Sequence, residues 1–275
     1  MNKNLQILTL LFTVVGLSSC LNSYNIDGSA DHSGLDNSKV YLRIAKNDQL
    51  KEVDSTEVVH GKFGFSGTTD STRVAYLVSD GFIIPLVLEG GDNTVKVNKD
   101  RKSWGGTTLN DKLYKFFSTH DSLTMKLDDL EHEYTLAFMD GEDMRNDVIP
   151  RLSRRHQEII ACMDSLFTES VTENFDNILG PFIFMVYAQG QRFPEMSPWV
   201  VDIMSKASDK FKNDPDVKRY IDEAQRIQNQ ANGLESPAPA AAAAPQPPTP
   251  NEMAAPAIDS TKVEKADTTN TKQKK

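Results

Sequence analysis

The chain has 275 residues, of which 39% are hydrophobic, and a formal net charge of -9 at pH 7. This acidic balance argues against a nucleic-acid-binding surface, which needs clustered Lys and Arg side chains. The only two cysteines, Cys20 and Cys162, are far apart in the sequence and exclude a Cys-x-x-Cys redox pair.

The first twenty residues have the pattern of an export signal. Lys3 supplies a positive charge, and the apolar stretch from Leu5 to Leu17 is well below the ~20 residues of a membrane-spanning helix. The sequence Leu17-Ser18-Ser19-Cys20 resembles the lipobox of bacterial lipoproteins, in which the cysteine is acylated. We therefore expect a signal peptide over residues 1–19 and a lipid anchor at Cys20. An ordinary secretory signal that ends in cysteine is the alternative.

The second cysteine, Cys162, lies among apolar residues at helical spacing. Its neighbours on the predicted helix include Ile159, Met163 and Leu166. Free cysteine is among the most buried residue types, so the spacing predicts packing rather than a nucleophile. We expect a buried thiol that resists alkylation in the native protein.

Residues 20–38 are rich in Asn, Ser, Asp and Gly and are predicted to be a tether that leads into a first strand near Tyr24 to Gly28. A β-rich domain is predicted over residues 39–108. Its short segments alternate apolar and polar side chains, and turns separate them every 8 to 12 residues, which is typical of a small antiparallel β-sandwich. Phe63 and Phe65 are predicted to point inward from one strand.

Two further features concern the end of this domain. Pro85 cannot donate to a sheet ladder, so its strand is predicted to lie at an edge or to carry a bulge. Glu89 to Asn93 supply turn residues before the strand Thr94 to Val97, which predicts a hairpin with the strand around Pro85.

A helical domain of about five helices is predicted over residues 109–232. Apolar residues recur at three- and four-residue steps on both sides of Asp140-Gly141, which predicts an antiparallel helical hairpin. Pro150 is expected to kink the second helix or to mark its first turn. Ser197-Pro198 and Asp214-Pro215 are each typical of a capped helix start.

The segment over residues 233–275 is Pro/Ala-rich and then charged. It has almost no apolar side chain larger than alanine, so we expect it to be disordered. The whole chain is thus predicted to be an α+β protein: an N-terminal β-sandwich-like domain, an α-helical domain and a disordered C-terminal tail.

No catalytic, cofactor-binding or metal-binding residues are predicted. Ser66 lacks a nucleophile elbow, and His132-Glu133 lacks the second histidine of a zinc protease. The carboxylates from Asp128 to Glu133 are dispersed around a helix, which favours a solvated face. His60 and His156 fall in strand and helix patterns and are predicted to be structural.

Two surfaces remain as candidates for a peptide or protein partner. They are the sheet edge next to Pro85 and an apolar groove between helices. Tyr76, Trp104 and Trp199 are alternative surface residues, although core packing is favoured for each.

A family resemblance rests on the order and spacing of several short elements. These are Val53-Asp54-Ser55, Gly61-Lys62-Phe63, Phe65-Ser66-Gly67, Leu88-Glu89-Gly90-Gly91 and Gly106-Thr107 through Asn110. Residues 24 to about 118 resemble the domain of unknown function 4369, which is found at the N-terminus of Bacteroidetes lipoproteins, usually ahead of a thioredoxin-like domain. This chain has no Trp-Cys-x-x-Cys, so the redox chemistry of the family cannot be assigned to its residues.

The resemblance implies a membrane-anchored, non-catalytic accessory module without a cofactor. Leu21 to Tyr24 lack the acidic cluster that resembles a surface-export signal, which favours the outer membrane facing the periplasm. We expect the membrane, through acylated Cys20, and an unknown envelope protein as partners. The alternative function is an accessory subunit to a separate thioredoxin-like thiol-disulfide oxidoreductase.

Overall fold

The structure, a computed structural model, describes residues 22–30, 34–46 and 49–234. Within them the α+β class is confirmed, with eight strands in two sheets followed by six α-helices. The strands are β1 (Asn22–Ala30), β2 (Lys39–Lys46), β3 (Gln49–Glu57), β4 (Lys62–Thr69), β5 (Arg73–Ser79), β6 (Phe82–Leu88), β7 (Gly91–Val97) and β8 (Lys102–Gly105). The helices are α1 (Thr108–Met139), α2 (Ile149–Thr172), α3 (Leu179–Gln189), α4 (Pro198–Lys206), α5 (Asp209–Lys212) and α6 (Pro215–Ala231), with a π-helical turn (Met144–Val148) before α2. The predicted signal peptide, Cys20 and residues 235–275 of the predicted tail lie outside the described residues.

The strands form a two-layer sandwich. One sheet has the order β4-β1-β7-β8 and the other the order β3-β2-β5-β6. Side chains of both sheets fill one core, in which Ile26, Leu42 and Leu77 are fully buried. The β1–β7 pair is parallel, so the first sheet is mixed, whereas the sequence predicts an antiparallel sandwich.

The first strand predicted near Tyr24 to Gly28 is present as β1, which is longer than predicted and extends over residues 22–30 of the segment assigned to a tether. It lies between β4 and β7 and is paired with both. Tyr24, Ile26 and Ala30 alternate along it and are buried in the sandwich core. The polar residues between them point outward. They give the segment a polar composition typical of a tether, although residues 22–30 form a central strand.

Aromatic rings cover glycines across the β1–β4 pair. In the antiparallel register Phe63 lies opposite Gly28, and Tyr24 lies opposite Gly67. A Cβ atom on Gly28 would come within 2.2 Å of the Phe63 ring, and one on Gly67 within 2.6 Å of the Tyr24 hydroxyl. Each glycine therefore leaves the space that an aromatic ring fills. The inward orientation of Phe63 and Phe65 is confirmed by their burial.

The hairpin predicted at Glu89 to Asn93 is wrong. Strand β6 pairs with β5 in one sheet, whereas β7 pairs with β1 and β8 in the other. The turn between them therefore carries the chain from one layer to the next. Gly91, at φ 126°, allows a tight turn that can join two strands of one hairpin or two strands of different sheets. The turn residues therefore do not distinguish a hairpin from a crossing between layers. The edge position predicted from Pro85 is confirmed, because β6 is the last strand of its sheet.

Helices α1 and α2 form the predicted hairpin. Helix α1 ends at Met139, and Gly141 at φ 71° marks the break. Pro150 lies in the first turn of α2. The two predicted caps are also present, since Ser197 Oγ accepts from the first turn of α4 and Asp214 Oδ1 from the first turn of α6.

A second apolar core joins the helices to the sandwich. Phe184 and Phe211 are fully buried within it, and Val87 of β6 contributes to it from the sheet. The described residues as far as Asn229 form one compact unit, and a second unit begins at Gln230.

Candidate functional site

Asn110 attaches the start of α1 to the edge of the sandwich. Its buried amide accepts a hydrogen bond from the Val87 N–H and donates one to the Val87 carbonyl, both at 2.8 Å. These are the two bonds that a neighbouring strand would make. Pro85 has no N–H, and both backbone polar groups of Val87 are already bonded to Asn110. A partner strand at the β6 edge could therefore not form a continuous set of backbone hydrogen bonds. This edge is therefore a poor peptide-binding site.

The polar residues considered in the sequence analysis do not come together in a catalytic or metal-binding site. Ser66 is exposed on β4, and His60 lies in an exposed turn at φ 50°. His156 lies in a helix, as its pattern predicts, but is exposed on α2. Neither histidine is therefore packed in a core, as a structural role would require. Among the described residues, no group of three His, Cys, Asp or Glu side chains is arranged to hold a metal ion. The remaining candidates are surfaces.

Cys162 is exposed on α2, which corrects the prediction of a buried thiol. The side of α2 that faces its neighbours is marked by Leu152, Ile159 and Leu166. Cys162 follows Ile159 by three residues and lies beyond the margin of that stripe, because the neighbouring helices cover only a narrow face. An exposed thiol is open to alkylation under either functional hypothesis, so alkylation alone does not distinguish them.

The two tryptophans are packed, as predicted. The Trp104 ring lies 5.2 Å from the Tyr114 ring, measured between centroids, and contacts both cores. Trp199 Nε1 donates to Thr168 Oγ1 at 2.8 Å. Tyr76 is half-buried, and this burial raises the pKa of its hydroxyl. None of the three presents an open aromatic surface.

An open groove of about 470 Å³ lies between α1 and α2, beyond the second core. That core includes residues of α1 as far as Phe117, whereas Leu130 and Ala137 pack with α2 and the π-helical turn in a small separate cluster. The distal half of the hairpin therefore has few neighbours. The groove is lined by Leu127, Asp128, Leu130, Glu131, Tyr134, Leu152, Ser153, His156 and Gln157.

Ion pairs close the opposite flank of the hairpin. Glu133 of α1 binds both Arg151 and Arg155 of α2, the latter at 2.5 Å. Glu133 is two residues beyond Glu131, so the two side chains point to different sides of the helix. Hydrogen bonds from Arg155 and Arg151 lower the pKa of the Glu133 carboxyl. Ion pairs thus connect the two helices on one flank, whereas the flank with the groove is open.

Apolar side chains continue the groove toward the tip of the hairpin. Tyr134, which lines the groove, is 45% exposed, and Phe138 one turn further is 67% exposed. On α2, Ile149 is one turn before Ser153 and is 46% exposed. Exposed large apolar side chains that form a continuous surface mark an interaction site more often than isolated ones do. The groove and its extension are the candidate functional site.

The charge along the groove is negative. Asp128 and Glu131 contribute carboxylates from α1, and no Lys or Arg is among the nine lining residues. Carboxylates at this position attract cationic side chains of a partner and repel anionic ones.

Residues 24–113 match the family model described as Domain of unknown function (DUF4369). No curated protein and no solved structure matches the chain. The matched range covers the sandwich and the first residues of α1, and it ends before the groove. Within the described part of the chain, no helix combines the length and apolar character needed to span a membrane.

Proposed function

Residues 24–113 match the DUF4369 family model, and from this premise we propose that the chain is a membrane-anchored periplasmic lipoprotein. It acts as a non-catalytic binding or assembly module of the cell envelope. The lipobox-like sequence ending at Cys20 supports the anchor, which would face the periplasm from the outer membrane.

The observation that carries the binding role is the open groove on the hairpin. The sandwich core and the second core are both filled, but the distal half of α1 and α2 leaves apolar side chains uncovered. A helical pair that presents an uncovered apolar seam suits the binding of another protein.

Anchoring is tested by the substitution Cys20→Ala. We expect it to abolish metabolic labelling with a radiolabelled fatty acid and to move the protein from the membrane fraction to the soluble fraction. Cys162→Ser is the matched control and should leave both unchanged. Fatty-acid labelling of the Cys20→Ala protein would contradict the anchor.

Binding is tested by amine-reactive crosslinking in intact cells, followed by mass spectrometry of the adducts. We expect a reproducible adduct with one envelope protein, and copurification of the two proteins without crosslinker. The absence of any such adduct, with the protein present and anchored, would contradict the binding role.

The exposed thiol of Cys162 keeps a second candidate open, an accessory subunit to a separate thioredoxin-like oxidoreductase. Such a role predicts a mixed disulfide between Cys162 and that enzyme when cells are trapped with acid and alkylated. Cys162→Ser should abolish the mixed disulfide. If the wild-type protein forms none, this candidate is excluded.

A further inference from the structure

We propose that the groove between α1 and α2 binds an amphipathic helix of a partner protein, and that Lys or Arg side chains flank the apolar face of that helix. This inference rests on the proposed binding function and names the class of partner.

The shape fits one helix. From Leu127 to Phe138 the apolar surface of α1 runs over twelve residues, or about 16 Å at a rise of 1.5 Å per residue. That length corresponds to about three turns of a bound helix. Two paired helices with an uncovered seam on one flank can accept a third helix against both, as helix-in-groove complexes do.

The apolar surface calls for a partner with its own apolar face. Tyr134 and Phe138 stand on the α1 side of the seam and Ile149 on the α2 side, and each is about half exposed or more. By contrast, Leu130 and Leu152 at the floor of the groove are buried. The floor of the groove is therefore already packed, while the apolar side chains along its two sides are uncovered. Side chains at helical spacing can enter between the two sides, whereas a flat sheet cannot.

The charge distinguishes between possible occupants. Asp128 and Glu131 line the groove without a compensating Lys or Arg among the lining residues. A second copy of the hairpin would bring the same carboxylates together, and an anionic lipid surface would also be repelled. A helix with Lys or Arg beside its apolar face would pair with both carboxylates. The groove is therefore complementary to a cationic amphipathic helix.

The test is site-specific photocrosslinking of the full-length, anchored protein in its own cells. The substitution Tyr134→p-benzoylphenylalanine places the probe in the groove. Met125→p-benzoylphenylalanine is the matched control, because Met125 is on the same helix, is 66% exposed and is not among the lining residues. We expect an adduct from position 134 and not from position 125. The captured peptide should be a cationic amphipathic helical segment.

A second pair of variants tests the charge. In the Tyr134 probe protein, Glu131→Lys should reduce the adduct yield about tenfold, which corresponds to about 1.4 kcal/mol of binding free energy. Asp129→Lys makes the same charge change at an exposed residue outside the lining set and should leave the yield unchanged. Equal yields from the two variants would overturn the charge argument.

The outcomes separate this inference from the proposed function. An adduct from position 134 with a second copy of this chain, with its own residues 235–275, with lipid or with a segment that is not a cationic helix would overturn the inference. An envelope partner captured by amine-reactive crosslinking but not from position 134 would also overturn it, while the binding function would stand. If neither experiment captures a partner, both are wrong.

Discussion

Gly28 shows how one residue sets the packing of the sandwich. The Phe63 ring occupies the space that a side chain at position 28 would need, and it also stacks on Phe82 of the other sheet, with 6.2 Å between centroids. A substituent at Gly28 would therefore disturb both layers. The same logic applies at Gly106, where φ is 120° and a Cβ atom would lie 2.4 Å from the Asp92 carbonyl oxygen.

We predict that Gly28→Ala destabilises the protein by about 1–3 kcal/mol, because the Phe63 ring must leave its site in a close-packed core. Urea unfolding followed by circular dichroism measures the change. Gly64→Ala is the control, since Gly64 is exposed on β4 and a Cβ atom there would lie 3.4 Å from the Ile26 carbonyl oxygen. Equal losses of stability in the two variants would contradict the role given to the Phe63 ring.

A second prediction at this scale concerns Cys162. Because its side chain is exposed, the thiol should react with a maleimide in the native protein at a rate within about tenfold of that in urea. Native Cys162→Ser protein should incorporate no label if Cys20 is acylated. Strong protection in the native wild-type protein would mean that another molecule or segment covers this face of α2.

At the scale of elements, the α1–α2 hairpin has ion pairs between its helices on one flank and an open groove on the other. Glu133 receives hydrogen bonds from Arg155 and Arg151, and Arg151 also lies 3.8 Å from Glu142 and 3.9 Å from Asp147. The network bridges the two helices beyond the residues of the second core.

The lowered pKa of Glu133 gives the hairpin a pH dependence with a definite sign. A carboxyl whose pKa is lower in the folded state than its ordinary 4.5 stabilises the fold above that value. The contribution is lost as the pH falls through the folded-state pKa. We therefore predict that Glu133→Gln lowers stability near pH 6 and that the difference from wild type shrinks below about pH 4.5.

Hydrogen exchange of α1 and α2 amides at pH 6 and at pH 3, corrected for intrinsic rates, measures this effect within the hairpin. Glu131→Gln is the control, because it removes a carboxylate of the same helix on the groove side. A difference between Glu133→Gln and wild type that stays constant from pH 6 to pH 3 would show that the ion pairs do not cause it.

At the scale of the whole molecule, the sandwich and the helices are joined by shared residues. Val87 belongs to a strand of the sandwich but packs in the helical core, and Trp104 contacts both cores. Asn110 bonds both polar groups of the Val87 backbone from the first turn of α1. The family match at residues 24–113 includes this junction, so the matched segment extends into the helical part.

We predict that Asn110→Ala destabilises the protein by about 2–4 kcal/mol, because it leaves a buried N–H and a buried carbonyl of Val87 without partners. Asn98→Ala, at an exposed position, should change stability by no more than about 0.5 kcal/mol. Urea unfolding with tryptophan fluorescence and circular dichroism reads the result. In wild type the two signals should coincide, since Trp104 and Trp199 report on cores that unfold together. Separate transitions in wild type would contradict the joined cores.

Much of this architecture follows from local sequence. The helical hairpin, the Pro150 start of α2, the caps at Ser197 and Asp214 and the burial of Phe63 were predictable, because each depends on residues within a few positions of one another. One local element was missed. The apolar spacing from Val200 to Phe211 predicts one helix after Ser197-Pro198. The chain instead turns at Ala207, and the separate four-residue helix α5 follows. Ser208 caps that short helix, but a serine beside a continuing apolar pattern is a weak stop signal.

The sequence alone determined the acidic composition, the α+β class, the paired helices and the family resemblance. It also contains the lipobox-like segment, which stays a prediction because Cys20 lies outside the described residues. Only the tertiary structure decided the pairing of β1 with β4 and β7, the crossing of the turn after β6, the exposure of Cys162 and the open flank of the hairpin. Each of these depends on which distant segment covers a given face. Periodicity shows that a face is apolar, but long-range contacts decide whether it is buried or left open to a partner.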